Sequence, residues 1–296
     1  MRHGHLYASI QECHTEKGYP IEEACKLLHV ARSAYHKWVS GKTSHRIAEN
    51  EEIARTIEQI HMLHPDKGYR RLNDDLRHDY GIHINDKRVL RICRAKDIKS
   101  TIKYSSHGCT RRAKNPQYLA ENLLNREFNA DKPNQKWLTD VTEFKWYEGV
   151  EIHKLYLSAI LDLCDRRIVS FVIGQRNDNP LVYKTFDKAV KNNPDVHPLF
   201  HSDRGFQYTN RTFHQKLVRA GMRQSMSRVA HCIDNGPMEG FWGILKRECY
   251  YGKRFTSKLT LIQTIEHYIR YYNTRRVQRN LGTLTPMEKH EFYRAA

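Results

Sequence analysis

The chain has 296 residues, and 50 lysines and arginines against 33 aspartates and glutamates give it a formal charge of +17. This length allows about two domains and excludes a single small fold, while the charge favours a polyanionic partner, nucleic acid first. The seven scattered cysteines form no C-x-x-C pair, and the sequence has neither the apolar core of a signal peptide nor a run of ~18 apolar residues. These features argue against a disulfide framework, a cysteine-rich zinc site and a membrane span, and we expect a cytoplasmic protein.

The first predicted domain covers residues 1–43. Apolar residues recur at helical spacing from Ile21 to Leu28, and a break near His29 precedes a second short helix from Ser33. This pattern predicts a helix-turn-helix. An ordinary helical hairpin remains the alternative, because two short helices joined by a turn are a poorly specific motif.

The second predicted domain covers residues 44–98 and holds three helices, the last two in the words GYRRLNDDLRHDYG and NDKRVLRICRAKD. Both words are markedly basic, as expected of helices that lie on phosphates, although a solvated charged face would look similar. We predict DNA contact here because the basic excess is repeated. The predicted DNA-binding residues of this domain are Arg70, Arg71, Arg88 and Arg91.

Residues 99–131 are predicted to form a basic linker. No acidic residue occurs from 98 to 120, where Lys103, Arg111 and Arg112 stand among serines, a glycine and Tyr104. Such a composition predicts a segment that becomes ordered on DNA instead of packing in a core.

The remaining residues, 132–296, change to a pattern of strands. The words KWLTDVTEFKWY, KLYLSAILDLC and RRIVSFVIG are rich in β-branched and aromatic residues and predict three sequential antiparallel strands. A helix from Asn179, a fourth strand in PLFHSD, a helix capped by Asn210 and a fifth strand in RQSMS follow. The predicted fold class is therefore α/β, a mixed five-stranded sheet flanked by helices and preceded by an all-helical DNA-binding region.

The stretch HCIDNGPMEGFWGILK, residues 231–246, predicts a further helix with one apolar stripe. Asp234 or Asn235 can cap this helix, and Glu239 lies in its first turn, on the same face as Lys246. The helix dipole also favours a glutamate in a first turn. The local pattern therefore leaves capping and catalysis open for Glu239.

Two aspartates stand where structural aspartates are uncommon. Asp140 lies inside the strand word WLTDVTEF, and Asp203 ends the strand word PLFHSD just before a glycine turn. If folding gathers both with Glu239, the chain has an acidic pocket within a basic surface, which suits hard divalent cations. Two such ions ~3.5 to 4 Å apart catalyse in-line displacement at phosphorus, so we predict two Mg²⁺ ions, with Mn²⁺ as a substitute.

The other acids and histidines give weaker signals. Asp162 and Asp165 lie near a strand end and turn, where aspartate is common. Glu143 is three residues from Asp140, which puts it on the opposite face of a strand. The pair His61-x-x-His64 lacks a matching C-x-x-C, so a zinc site is not favoured.

The three acids also stand within recognisable words. WLTDVTEF, HSDRGFQY and DNGPMEGFWGILK, with 35 residues between Asp203 and Glu239, resemble the D,D,E signature of the insertion-sequence transposases of the family numbered three. HPDKGYRRL and NDKRVLRICR are similar to the second helix-turn-helix of that family, and YYNTRR followed by LGTLTP to its C-terminal end. The resemblance implies a catalytic core similar to retroviral integrases, with the ribonuclease-H-like fold.

The resemblance also implies roles for single residues. Asp140, Asp203 and Glu239 would be the catalytic residues and would hold the two magnesium ions, and Lys246 would reach the DNA near the scissile phosphate. The implied reaction is nicking at the 3′ ends of a transposable element followed by strand transfer, through a circular intermediate. Further contacts to the DNA backbone, or contacts that support the catalytic residues, are expected at Arg204, Tyr208, Ser227, Arg228 and Asn235.

The implied partners are the terminal inverted repeats of the element, its target DNA and further copies of the chain on that DNA, in a bacterial cytoplasm and at the nucleoid. The chain begins where the downstream reading frame of the family normally begins. The resemblance therefore implies a fusion or association with an upstream-frame helix-turn-helix protein. Two other functions remain open: a ribonuclease-H-like nuclease that only hydrolyses DNA, and a non-catalytic DNA-binding regulator derived from a transposase.

Overall fold

A computed structural model describes residues 3–41, 45–102, 117–228 and 232–295. The predicted linker residues Lys103, Tyr104, Arg111 and Arg112 lie outside these ranges. The chain divides into two compact units, Met1–Ile60 and His61–Ala296. Within the described ranges, no helix combines the length and apolar character that crossing a membrane requires.

The first unit is helical. Its small core contains Tyr7 and Ile10 from the first helix, with Cys25 and Tyr35 from the next two. The second and third helices are the predicted short pair, and the residue between them, His29, has a left-handed backbone with φ of 51°. The first helix was not predicted. The bounds are α1 Gly4–Lys17, α2 Ile21–Leu27 and α3 Arg32–Val39, followed along the chain by α4 His45–Leu63.

The second unit begins with two further helices, α5 (Tyr69–Tyr80) and α6 (Asp86–Ala95). Leu72 and Leu76 of α5 are fully buried, as is Val89 of α6. These two helices and α4 are the three predicted for residues 44–98. The predicted division of the chain into domains stays a prediction. The boundary between the two compact units lies between residues 60 and 61, inside the second predicted domain.

A five-stranded sheet forms the centre of the second unit. The strand order is β3-β2-β1-β4-β5; β1, β2 and β3 pair antiparallel, while β4 and β5 run parallel to β1. This order and these directions are those of the ribonuclease-H-like fold, and the prediction of five strands in this part of the chain is confirmed. The bounds are β1 Lys136–Glu148, β2 Glu151–Asp162, β3 Ile168–Gly174, β4 Leu199–Ser202 and β5 Arg223–Met226.

Helices cover both faces of the sheet, because alternate strand residues point to opposite sides. Trp137 of β1 belongs to the core that faces α7 and α8, while its neighbour Leu138 belongs to the core that faces α9 and α10. The predicted cap at Asn210 is confirmed, because its side chain accepts from the Thr212 N–H. The helix predicted from Asn179 is capped by Asp178, which accepts from the Leu181 N–H. The bounds are α7 Asn179–Asn192, α8 Arg211–Arg219, α9 Gly236–Leu245, α10 Lys258–Thr274 and α11 Pro286–Ala295.

Residues 117–131, which we expected to be linker, pack on the sheet. Ala120 and Leu124 are buried in the cores on its two sides, and the backbone N–H groups of Leu123 and Leu124 donate to Ser225 Oγ on β5. The basic composition of the preceding residues misled the prediction. Buried apolar side chains and satisfied backbone donors make this segment part of the folded core.

Candidate active site

Strand pairing brings Asp140 and Asp203 to neighbouring strands at the same level. Leu138 of β1 is the register partner of His201 of β4. Asp140 lies two residues after Leu138, and Asp203 lies two residues after His201, just beyond the end of β4. The alternation of the strand also puts Asp140 on the face that α9 covers.

Asp140 is held by two donors and surrounded by like charge. The Val141 N–H donates to its Oδ1 at 2.8 Å, and Trp242 Nε1 of α9 donates to its Oδ2 at 2.9 Å. Burial, followed by the negative charge of Asp203, raises the pKa of Asp140 from 3.8 to about 7, and the charge of Glu239 adds to the rise. A carboxyl group whose pKa is raised by other carboxylates indicates a site with excess negative charge.

Asp203 is fixed by a tight turn. The Gly205 N–H donates to Asp203 Oδ1 at 2.9 Å, and a Cβ at position 205 would lie 3.0 Å from that same oxygen and from Gln207 Oε1. Any larger residue at position 205 would press against the carboxylate, so glycine suits this turn. Burial raises the pKa of Asp203 as well.

Glu239 lies in the first turn of α9, exposed to solvent. Its carboxylate has no hydrogen-bond or ion-pair partner among the described residues. The helix does not depend on it for capping, and Asn235, at the cap position, makes no capping bond either. Asn235 Nδ2 instead donates to the Thr139 carbonyl oxygen at 3.3 Å, which ties the start of α9 to the strand of Asp140.

The three carboxylates interact electrostatically without forming a closed ligand set. Within the part of the chain that the structure describes, no three histidine, cysteine or acidic side chains are close enough together to hold a metal ion. Asp140 and Asp203 are rigidly held, whereas Glu239 is an unrestrained side chain on an exposed face.

Comparison with known proteins decides the family. Integrase core domain models match residues 130–232 and 239–293, and an HTH-like domain model matches residues 48–105. The putative transposase InsK of IS150 from Escherichia coli K12 is 36% identical over 272 residues, covering 91% of this chain and 93% of the relative. A transposase-like protein of Haemophilus influenzae is 41% identical over 209 residues, covering 70% and 93%. The transposase InsF of IS3A from E. coli K12 is 29% identical, covering 90% and 93%.

The chain belongs to the IS3 family of insertion-sequence transposases. It is thus a transposase, an enzyme of the polynucleotidyl transferase class. Among solved structures, it is similar to the integrase catalytic core of HTLV-2 in complex with magnesium, with 19% identity, a TM-score of 0.42 and coverage of 54% of this chain and 98% of that one.

The expected DNA contacts of the transposase near the carboxylates differ in their surroundings. Lys246 follows α9 directly and lies with its Nζ 5.3 Å from the centre of the Phe144 ring. Arg204 Nε donates to the Ser227 carbonyl oxygen at 2.8 Å, and Arg228 binds Asp234. These basic side chains stay predicted DNA contacts.

Three of the expected contacts are buried in the transposase. Tyr208 is 1% exposed and its hydroxyl lies 3.3 Å from Thr139 Oγ1, and burial, with the charges of Asp140 and Asp203, raises its pKa well above 10. Ser227 and Asn235 are buried as well. Burial favours the supporting role over direct contact with DNA for these three residues, a distinction that sequence spacing does not reveal.

The arginines of α5 and α6 also separate into two kinds. Arg70 is exposed and lines a cavity of about 570 Å³ together with Lys87 and Arg279. Arg71 instead forms ion pairs with Asp66 at 2.8 Å and with Glu248 at 3.0 Å. The charge of Arg71 is therefore compensated within the protein. Arg88 and Arg91 of α6 stay predicted DNA contacts.

A second group of acids in the transposase is structural. Asp162 and Asp165 are fully buried. Asp162 accepts from the Asn134 N–H at 2.6 Å and Trp137 Nε1 at 3.1 Å, and His290 Nδ1 lies 2.7 Å from Asp165 Oδ2. Burial, followed by the charge of Asp165, raises the pKa of Asp162 to about 6. Because donors of the protein itself bind both carboxylates, Asp162 and Asp165 have the turn-stabilising role that we expected.

Sequence reasoning missed two residues that shape the site. Trp242 was taken only as part of the apolar stripe of α9, although an indole N–H in a stripe beside a strand aspartate is a usable signal. Asp234 was expected to cap α9, but it is fully buried and bound by two arginines. No local pattern in the sequence indicates that second arrangement.

Proposed function

We propose that Asp140, Asp203 and Glu239 are the catalytic residues of this transposase, and that they bind two Mg²⁺ ions while the enzyme nicks the 3′ ends of its element and transfers them to a new site. The observation that carries the proposal is the register of β1 and β4, which brings Asp140 and Asp203 together, and burial with neighbouring carboxylate charge raises the pKa of Asp140 to about 7. Such mutual repulsion costs stability unless a cation compensates it. Oxygen-only ligands and a phosphate substrate suit magnesium.

The residues present fit a pair of Mg²⁺ ions. Val141 and Trp242 fix the two oxygens of Asp140, and Gly205 fixes one oxygen of Asp203. Asp203 Oδ2 and the Glu239 carboxylate have no partner among the described residues, so both are available to a ligand. When bound, a pair of Mg²⁺ ions activates the attacking oxygen and stabilises the leaving oxygen at phosphorus.

The bonds balance in two displacements. In the first, a water oxygen attacks the phosphorus at the end of the element, the bond from phosphorus to the 3′ oxygen breaks, and a 3′ hydroxyl is released. In the second, that hydroxyl attacks another phosphodiester, so one P–O bond forms as one breaks. No covalent protein intermediate is needed. Positioning of the DNA by Lys246, Arg204 and Arg228 is the contribution of the basic side chains.

We further propose that several copies act together on DNA in the bacterial cytoplasm, at the nucleoid, because joining requires two ends to be held at once. In this proposal Arg70, Arg88 and Arg91 contact the terminal inverted repeats, and the upstream-frame protein adds a further DNA-binding element. A circular intermediate, in which one end attacks the other, is the product to look for first.

The test uses labelled duplexes that carry the terminal inverted repeats, incubated with the full chain and Mg²⁺, with and without the upstream-frame protein. Asp140→Asn, Asp203→Asn and Glu239→Gln should each abolish strand breakage and leave retardation of the duplex nearly unchanged, because they remove ligands and not DNA contacts. Glu143→Gln is the matched control. Glu143 lies on the same β-strand as Asp140 but pairs with Lys154. The Glu143→Gln variant should therefore cleave DNA like the wild type.

The products separate the rival functions. Strand-joined products support transposition. Cut ends without joining would support a hydrolytic nuclease, and retardation without any bond breakage would support a regulator. Breakage that survives in all three variants would reject the assignment of the carboxylates.

A further inference from the structure

The turn before α9 contains a buried carboxylate bound by two arginines. Asp234 is 0% exposed. Its Oδ1 accepts from Arg126 Nε at 2.7 Å and from Arg228 Nη2 at 2.9 Å, and its Oδ2 accepts from Arg228 Nε at 3.0 Å. The backbone N–H of Arg228 and the side chain of Asn122 complete the donors, at 2.9 and 3.0 Å. Hydrogen bonding by Arg228 is the largest cause that holds the pKa of Asp234 well below its usual range.

This group carries one positive charge in excess. The two-point bond from Arg228 is sufficient to neutralise Asp234, so burial of the carboxylate does not explain the second guanidinium. Arg126 and Arg228 are 41% and 44% exposed. Both terminal nitrogens of Arg126 and Nη1 of Arg228 have no partner among the described residues. The arginines thus keep several N–H groups for an anion from outside.

The backbone at Arg126 is costly. Asn125 and Arg126 are consecutive left-handed residues, with φ of 43° and 63°, and neither is glycine. Such residues cost of order 1 kcal/mol or more each. The turn is fixed by the Asn122 side chain, whose Oδ1 accepts from the Asn125 N–H at 2.9 Å while its Nδ2 donates to Asp234. The contact between Arg126 and Asp234 is therefore formed at the expense of an unfavourable backbone conformation.

The pair lies beside the carboxylates. Asp234 is five residues before Glu239 and directly precedes Asn235, which binds the strand of Asp140. Arg228 follows the end of β5, next to β4 and Asp203. Two arginines near these carboxylates suit a DNA strand, because they attract its negatively charged phosphates to a place where the carboxylates would otherwise repel them.

We propose that Arg126 and Arg228, aligned by Asp234, form a binding site for a backbone phosphate of DNA at the edge of the active site. The planar guanidinium groups present parallel N–H donors, the arrangement that phosphate oxygens accept best. The inference rests on the proposed function, since it takes DNA as the ligand. The phosphate belongs either to the terminal repeat or to the target strand, and the two arms of the experiment separate these sources.

The first arm measures binding of the full chain to a labelled terminal-repeat duplex over a series of salt concentrations. Arg126→Ala should lower the slope of log K against log salt by roughly 0.9, the value for one lost phosphate contact. Arg126→Lys should keep the slope, because lysine keeps the positive charge. It should bind less tightly than the wild type, because an ammonium group lacks the two parallel N–H donors of a guanidinium group. Arg219→Ala is the matched control: Arg219 is an exposed arginine at the end of α8, and its loss should leave the slope unchanged.

The second arm measures joining of pre-cut terminal-repeat ends to a plasmid target. If the phosphate is that of the target, Arg126→Ala should leave the end-binding slope unchanged and raise the target concentration at half-maximal rate, with little change in the maximal rate. The thermal midpoint of each variant is measured alongside. Arg126→Ala leaves the Arg228 bond to Asp234 in place, so the fold should persist.

The outcomes are distinct. A change in either arm that Arg219→Ala does not show supports the phosphate site and names its source. If Arg126→Ala matches Arg219→Ala in both arms, or only lowers the thermal midpoint, the pair is a structural lock and the proposal is wrong. If the wild type breaks no strand, the proposed function fails, and the salt slope of the first arm still decides whether the anion site exists.

Discussion

His201 lies between two serine hydroxyls at the end of β4, and the donors around it fix its tautomer. Ser225 Oγ accepts from the N–H groups of Leu123 and Leu124, so its own proton points to His201 Nδ1 at 2.8 Å. His201 Nδ1 therefore accepts, and Nε2 carries the single proton of the neutral ring and donates to Ser227 Oγ at 3.2 Å. Burial lowers the pKa of His201 to about 4. A neutral imidazole two residues from Asp203 adds rigidity without compensating the carboxylate charge.

The raised pKa of Asp140 makes the stability of the metal-free enzyme depend on pH. A carboxyl group with a folded pKa of about 7, against 3.8 ordinarily, contributes stability at low pH that is lost as the pH rises through about 7. We expect the thermal midpoint of the wild type in chelator to fall more steeply between about pH 5 and about pH 8 than that of Asp140→Asn. Each kcal/mol by which repulsion lowers the free energy of unfolding should lower the thermal midpoint by about 2–4 °C for a chain of this size.

Addition of Mg²⁺ near about pH 8 should then raise the midpoint of the wild type and leave that of Asp140→Asn nearly unchanged. Glu143→Gln should follow the wild type in both measurements. Equal pH slopes for the wild type and Asp140→Asn would contradict the repulsion on which this prediction depends.

At the scale of elements, α9 continues into a short π-helix, Lys246–Tyr250, which carries a buried glutamate. Glu248 is 6% exposed at its side chain and binds Arg276 of the following segment at 2.9 Å, Arg71 of α5 at 3.0 Å and Tyr268 of α10 at 2.8 Å. π-Helical turns often occur at functional sites. Here the turn directs Glu248 inward and fixes the end of the helix that carries Glu239 and Lys246.

Removal of this carboxylate should be costly, because it leaves two arginines without their shared partner. We expect Glu248→Ala to lower the free energy of unfolding by about 3–5 kcal/mol and Glu248→Gln by less, since the amide oxygen still accepts hydrogen bonds. Urea unfolding measures both. Glu266→Ala, in an exposed position of α10, is the control, and an equal effect of the two alanine variants would show that the network adds no stability.

At the scale of the whole molecule, the C-terminal segment ties α5 and α6 to the rest of their unit. Arg279 binds Asp74 of α5 at 2.5 Å and Asp86 of α6 at 2.9 Å. Hydrogen bonding by Arg279 is the main reason why the pKa of Asp86 falls to about 2. That carboxylate contributes stability above its ordinary pKa of 3.8, and the contribution is lost as the pH falls through about 2. One side chain thus links two helices that are predicted to contact DNA.

We expect Arg279→Ala to loosen α5 and α6 specifically. Amide hydrogen exchange should become faster in these two helices, while exchange in β1 and β2 stays at its wild-type rate, because the sheet does not depend on this contact. Arg275→Ala, which removes an exposed arginine four residues earlier, should change neither. A uniform increase across the sheet would show instead that Arg279 supports the whole unit.

Much of the catalytic half was predictable because its signals are local. β-Branched and aromatic runs gave the five strands, and Asn210 capped its helix as expected. Other predictions failed where burial decides. The basic segment before residue 117 hid the apolar positions Ala120 and Leu124, and the spacing of Tyr208 within its motif did not show that its ring is buried.

The sequence by itself determined the strands and the family, and it predicted the three acids, since strand periodicity and short motifs depend on neighbouring residues. Only the tertiary structure decided which charged side chains face each other. Arg126 and Asp234 are 108 positions apart, and Arg71 of α5 pairs with Glu248, which follows α9. Ion-pair partners are chosen by packing between distant segments, so an arginine that contacts a buried carboxylate and one that faces solvent look alike in the sequence.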